Sequence, residues 1–320
     1  MGNKALKKDH YPIDTEFRYQ EDESFGSFVS KGSLRILQLR KIFSKIIEKK
    51  KEDPIPNEAS IPRAFYHEFD IHCMQVQNRN LFQFRPIKKE CLKTVFYIHG
   101  GAFIYNMNVG QFHLLTQLMR NIDIEIIVPD YPLVPHGSVL DALSMIRESF
   151  EKTAQRVGAE NIIVMGDAAG GCLALALCEQ MRNEGNPLPS SIILLSPWLD
   201  ISMSNPEIED INEHEMVLDR KGIRELGHIF AEDLAEDDYR ISPLRGELDD
   251  LPEINIFTGT HDILYPDAKE LKNRLKEENR PYRYFEYPKM MHGFIEMPHL
   301  RESRFAINQI ISLLKSEFDR

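Results

Sequence analysis

Five short apolar runs, TVFYIHG (94–100), IEIIVPD (124–130), NIIVMGD (161–167), SIILLSP (191–197) and EINIFTG (253–259), recur along the chain with helix-length stretches between them. A run that is apolar on both faces has no side to give to water, so it must be covered from above and below. Such runs, spaced by helical connections, predict a parallel sheet between two layers of helices. The connecting helices are expected at 109–121, 138–157, 169–184 and 264–279. Before them, AFYHEFDIHCMQV, a turn at Gln77-Asn78-Arg79-Asn80, and LFQFRP predict an antiparallel opening hairpin. A last strand, YRYFEYP, and an amphipathic helix over 300–318 close the pattern.

Sheets of this kind bind ligands beyond the carboxyl ends of their strands, which makes the residues directly after each run the ones to inspect. These are His99-Gly100-Gly101, Gly166-Asp167-Ala168, Ser196-Pro197-Trp198 and Gly259-Thr260-His261-Asp262. Gly166-Asp167-Ala168-Ala169-Gly170 fits the nucleophile elbow G-x-S-x-G at every position except the central one. In that elbow a strained strand-to-helix turn pushes one side chain out over the sheet, and small neighbours let the backbones pass. Small-residue turns before helices are common, so the context decides. His99-Gly100-Gly101-Ala102-Phe103 presents consecutive backbone N–H groups, while Asp262 and then His292 follow later strands, the chain order of triad members in α/β-hydrolases.

Bulk properties narrow the function. At 320 residues the chain suits one large core with an appendage. A net charge of −11 argues against a nucleic-acid binder, which needs clustered Lys and Arg against phosphates. Cys73, Cys91, Cys172 and Cys178 form no CxxC pair and read as reduced, buried thiols. Cys172, one helical turn past the elbow, is expected to be buried rather than a substitute nucleophile. No metal-ligand pattern occurs: His67 and His72, five apart on an expected strand, face opposite sides. No metal or cofactor is expected. The N-terminus lacks the apolar core of a secretory signal, Leu6 breaks the myristoylation pattern, and no run of about 18 apolar residues occurs, so a cytoplasmic location without a transmembrane segment is expected.

With these motifs the chain resembles the hormone-sensitive-lipase-like family of α/β-hydrolase esterases, from about residue 64 to 318. His99-Gly100-Gly101 resembles its HGG motif, Asp130-Tyr131-Pro132-Leu133 its DYxL strand end, and Gly166–Gly171 its GDSAGG elbow. Ser196-Pro197-Trp198, Ser242-Pro243-Leu244, Gly259-Thr260-His261-Asp262 and His292-Gly293-Phe294 are similar to further family motifs. The resemblance implies an α/β-hydrolase fold: a mostly parallel eight-stranded sheet, helices on both faces and a helical cap. The core is expected over 56–202 and 241–320, with a cap segment at 1–55 and an acidic cap insertion at 203–240.

It also implies roles. Ala168 occupies the nucleophile's place, His292 is the general base and Asp262 orients it. Gly100, Gly101 and Ala169 supply the oxyanion N–H groups, with Ala102 a harmless exchange for a third glycine. Asp167 is a structural hydrogen-bonder, and Phe103, Tyr105, Trp198, Leu199 and Phe294 are candidate pocket walls for a small-molecule ester of short to medium acyl chain. Ester and amide are not separated by sequence. The resemblance also allows a homodimer through the last strand or helix.

Alanine at 168 removes the attacking oxygen, and losing a triad nucleophile costs on the order of 10⁶ in turnover. This form is expected to be inactive. Two explanations stand: a Ser→Ala substitution in an ester hydrolase, favoured because Asp262, His292 and the glycines are all retained, or a natural ligand-binding pseudoenzyme. Finally, Ile36, Leu39, Phe43, Ile46 and Ile47 share one helical face opposite Lys and Arg. The favoured reading is a cap helix over the site; peripheral contact with anionic lipid ranks below it.

Overall fold

The computed structural model describes residues 11–37, 40, 41, 45, 48, 59–87, 91 and 93–318. In chain order its elements are β1 (Thr15–Arg18), α1 (Phe25–Leu37), α2 (Phe65–Glu68), β2 (Phe69–Val76), β3 (Arg79–Pro86), β4 (Lys93–Ile98), α3 (Val109–Asn121), β5 (Ile124–Pro129) and α4 (Val139–Val157). There follow β6 (Ile162–Asp167), α5 (Ala168–Asn183), β7 (Ser191–Leu195), α6 (Glu207–Asn212), α7 (Arg220–Ala231), β8 (Glu253–Gly259), α8 (Tyr265–Glu277), β9 (Tyr282–Tyr287) and α9 (Arg301–Phe318).

The five apolar runs became β4 to β8 because each residue in them serves a covered face. Along β6, Ile162 and Val164 enter one buried cluster with α4, α5 and α8. Ile163 and Met165 enter the other with α3 and α9. The strand period of two distributes one apolar run between two cores.

The strands form one sheet in the order β1-β9-β8-β7-β6-β4-β5-β3-β2. Only β2 with β3 and β3 with β5 pair antiparallel; the rest are parallel. Two corrections follow. The opening hairpin turns on Gln77 and Asn78 alone, both left-handed (φ 50° and 61°), and α2 takes residues 65–68, so His67 lies outside the strand that carries His72. Among the described residues the sheet has nine strands rather than eight, because Thr15–Arg18, inside the segment expected to be cap, pairs with Arg283–Glu286 at the sheet edge. Four residues of alternating burial are too short a signal to separate from a loop. Of the apolar face expected from Ile36, Leu39, Phe43, Ile46 and Ile47, the last four lie outside the described residues. Among the described residues no helix is long and apolar enough to cross a membrane.

Candidate active site

At the carboxyl edge of the sheet, β6 ends in Asp167 and Ala168 opens α5 in the left-handed region at φ 47°. An alanine in that conformation costs about 1 kcal/mol or more, and the surroundings enforce it. The glycines explain how. A Cβ on Gly170 would stand 2.0 Å from the Ile98 carbonyl oxygen, and one on Gly166 2.3 Å from that of Gly170. The elbow closes only with hydrogens at both positions.

The other strands bring their successors to the same place. Asp262, just past β8, is fully buried; its Oδ1 accepts the Leu264 N–H (2.9 Å) and its Oδ2 lies 2.9 Å from His292 Nδ1. Burial opposes a charge on His292, but the adjacent Asp262 carboxylate outweighs it, aided by Glu215 and Glu296, and pushes the imidazole up to about 9.

Ala168 and His292 line one cavity of about 410 Å³, within the range of small-molecule sites. Gly101, Ala102 and Ala169 line it too, together with Tyr105 and Trp198. Gly100 does not, and its expected place among the oxyanion donors is corrected: its N–H donates to Asp167 Oδ1 at 2.8 Å. The free turn falls one residue later, where Gly101, Ala102 and Phe103 run left-handed at φ 123°, 53° and 61°.

Three of the five expected pocket walls also move. Phe103 is fully buried behind the wall, its ring 5.1 Å from Trp198 and 4.2 Å from Phe230. Leu199 is enclosed in the core beside Trp198, and Phe294 packs against Tyr287 on the opposite core. Adjacency to a motif places a residue near the site along the chain, whereas the alternating direction of side chains sends every other one into the core.

Asp167 holds its loops together. It accepts hydrogen bonds from the Tyr97 hydroxyl, from Gly100 and from Gln111 Nε2 (2.9 Å). Glu296, one of the cavity-lining residues the sequence reading missed, hydrogen-bonds Asp167 and accepts from Asn108 Nδ2 at 2.9 Å. Burial and the charge of Asp167 push its carboxyl up to about 8. Its spacing of four from His292 was the available signal. Asn108 is readable in hindsight as the N-cap of α3, in a capping box with Gln111. Val217, Leu218 and Ile223, from the acidic insertion, and Leu264 complete much of the apolar wall. Leu264 follows the Gly259–Asp262 motif, whereas nothing in the local sequence marks Val217, Leu218 and Ile223 individually. Cys172 is fully buried and donates to the Ile241 carbonyl, so it offers no thiolate. Among the described residues no group of three or more His, Cys, Asp or Glu could hold a metal.

Residues 95–296 match the family described as the alpha/beta hydrolase fold. An esterase of Acinetobacter venetianus is 27% identical over 247 residues, covering 73% of this chain and 82% of that protein. An acetyl-hydrolase of Streptomyces hygroscopicus is 28% identical over 240 residues, 72% and 78% of the two. The crystal structure of an esterase from the bacterial hormone-sensitive lipase family superposes with a TM-score of 0.78 over 93% of this chain and all of that one, at 18% identity. With the match spanning more than half its length, the chain belongs to the α/β-hydrolase fold family.

Proposed function

We propose that this chain carries the site of a carboxylic-ester hydrolase for short to medium acyl chains, without its nucleophile because position 168 is alanine. The single observation that carries this reading is the Asp262–His292 pair, hydrogen-bonded at 2.9 Å on the wall of a cavity that Ala168 also lines. Relatives named esterase and acetyl-hydrolase support ester hydrolysis as the reaction class. With a serine at 168, His292 would take the hydroxyl proton through Nε2 as the oxygen attacks the ester carbonyl, and Asp262 would hold the ring's other nitrogen. The N–H groups of Gly101, Ala102 and Ala169 would receive the developing oxyanion. An acyl-enzyme would form, the alcohol would leave with the proton, and water would release the acid. With alanine there, the ester is bound and not acylated. The segment 203–240 acts as a lid, since Val217, Leu218 and Ile223 form part of the cavity wall.

The test uses the chain's single tryptophan, Trp198, which lines the cavity. p-Nitrophenyl acetate and butyrate are expected to quench its fluorescence saturably in the chain as it stands, and Ala168→Ser is expected to hydrolyse both. Quenching without any hydrolysis by Ala168→Ser would transfer the assignment to a ligand-binding pseudoenzyme, and absence of both would end the ester reading.

A further inference from the structure

Glu215 lies between α6 and α7, 5% exposed, in a cage of backbone donors. Its Oε1 accepts the N–H groups of Met216 (2.8 Å), Val217 (2.6 Å) and Leu218 (3.0 Å), and its Oε2 accepts that of Ile263 (3.0 Å). Every partner donates. Four N–H donors and no acceptor around the two oxygens favour the carboxylate form.

Those partners belong to two different structures. Val217 and Leu218 line the cavity, and Ile263 follows Asp262 in the loop that holds His292. Asp262 braces the same loop from the other side, through the Leu264 N–H at 2.9 Å. Two buried carboxylates therefore share residues 262–264, one reaching to the histidine and one to the lid. We propose that Glu215 is a positioning residue: its carboxylate latches the pocket wall at 216–218 to the Asp262 loop and, bonded to the residue next to Asp262, adds a second negative charge to the surroundings of His292. The wall part of this inference rests on the ester-site reading above; the charge part does not.

The electrostatics pull against the cage, and the net direction for Glu215 is upward. Burial raises the proton affinity of Glu215 and the charge of Asp262 raises it further, while His292 and the backbone N–H groups oppose them. Reciprocally, Glu215 is among the groups that raise His292. The acidic groups facing His292 are Asp262 from the loop after β8, Glu215 from the insertion and Glu296 from its own loop. A group that only capped a loop would brace the lid without touching the histidine's titration.

The experiment follows the imidazole of His292 by NMR in the ¹³C-histidine-labelled chain as it stands, assigned by the resonance lost in His292→Asn. Glu215→Gln, which removes the charge, is expected to lower the His292 midpoint by about one pH unit. Glu215→Asp, which keeps it, is expected to leave the midpoint near that of the parent. An unmoved midpoint in Glu215→Gln overturns the proposal, and so does an equal drop in both variants, which would trace the effect to loop geometry. Should Glu215→Gln not fold, Glu215→Asp decides. One methylene short of spanning both partners, it is expected to loosen the wall and weaken p-nitrophenyl butyrate binding, read by Trp198 quenching, about tenfold relative to acetate. Unchanged butyrate preference would overturn the latch. Failure of the parent chain to bind either ester would instead strike the ester reading, leaving the titration to judge Glu215.

Discussion

His292 Nδ1 stands 2.9 Å from Asp262 Oδ2, two side chains 30 positions apart joined where β8 and β9 end side by side. The carboxylate fixes which ring nitrogen carries the proton and turns the other away from it, the condition for a histidine to act as a base. It also makes the proton costly to remove.

From this follows the pH behaviour expected of the site with a serine at position 168. A base must be neutral to accept a proton, and His292 loses its own near pH 9. Ala168→Ser is therefore expected to exceed the parent chain in turnover by a factor on the order of 10⁶. Its kcat/KM for p-nitrophenyl butyrate should rise from pH 6 and level off above about 9. A plateau already reached at pH 7 would show that the carboxylates do not hold the imidazolium as described.

Glu296 gives a prediction about stability. Its carboxyl titrates at 4.5 ordinarily and at about 8 in the fold. Between those values the folded chain keeps a proton that the unfolded chain has released, so this group's contribution to stability falls as pH rises from 4.5 through 8. Glu296→Gln keeps an acceptor for Asn108 and a donor for Asp167 without a proton to lose. It should match the parent at pH 4 and melt about 2–4 °C higher at pH 8. Equal melting temperatures at both pH values would rule out a shared proton.

Gly100 and Ala102 should respond oppositely to exchange. A Cβ on Gly100 would stand 2.2 Å from Asp167 Oδ2, inside the network joining β4, β6 and α3. Gly100→Ala is expected to cost about 2–3 kcal/mol in urea denaturation. At Ala102, φ 53° suits glycine, and relief of that strain offsets the extra freedom of the unfolded chain. Ala102→Gly is expected within about 1 kcal/mol of the parent.

The thiols separate by depth. Cys73 is exposed and Cys91 half-buried, whereas Cys172 and Cys178 are buried and desolvation pushes both thiols far up. A thiol reagent such as DTNB should titrate Cys73 and Cys91 in the native chain, and all four cysteines only in denaturant. Fast loss of Cys172 in the native state would reopen it as a nucleophile.

Much of the fold was legible because parallel strands announce themselves. Runs apolar at every position, such as IIVM, have few other uses, and the helices at 109–121 and 138–157 were read close to their observed bounds. Strand β1 was not legible: TEFR earns its place from a partner, Arg283–Glu286, more than 260 positions away. Within the site, the turn after β4 was found in the right place, but Gly101 and Ala102 line the cavity and Gly100 does not. Which N–H faces the cavity depends on Asp167, which arrives from a different strand and takes that of Gly100.

By itself the sequence determined the alternation of strands and helices from β2 onward and the residue types delivered to each strand end, because local periodicity and small-residue turns act over a few positions of chain. Only the tertiary structure decided which of those residues meet. The cage around Glu215, the contact of Glu296 with Asp167 and the cavity wall from the insertion all join segments far apart in the chain. Electrostatic and packing forces act through space, so the charge that His292 feels is set by carboxylates that no local pattern brings together.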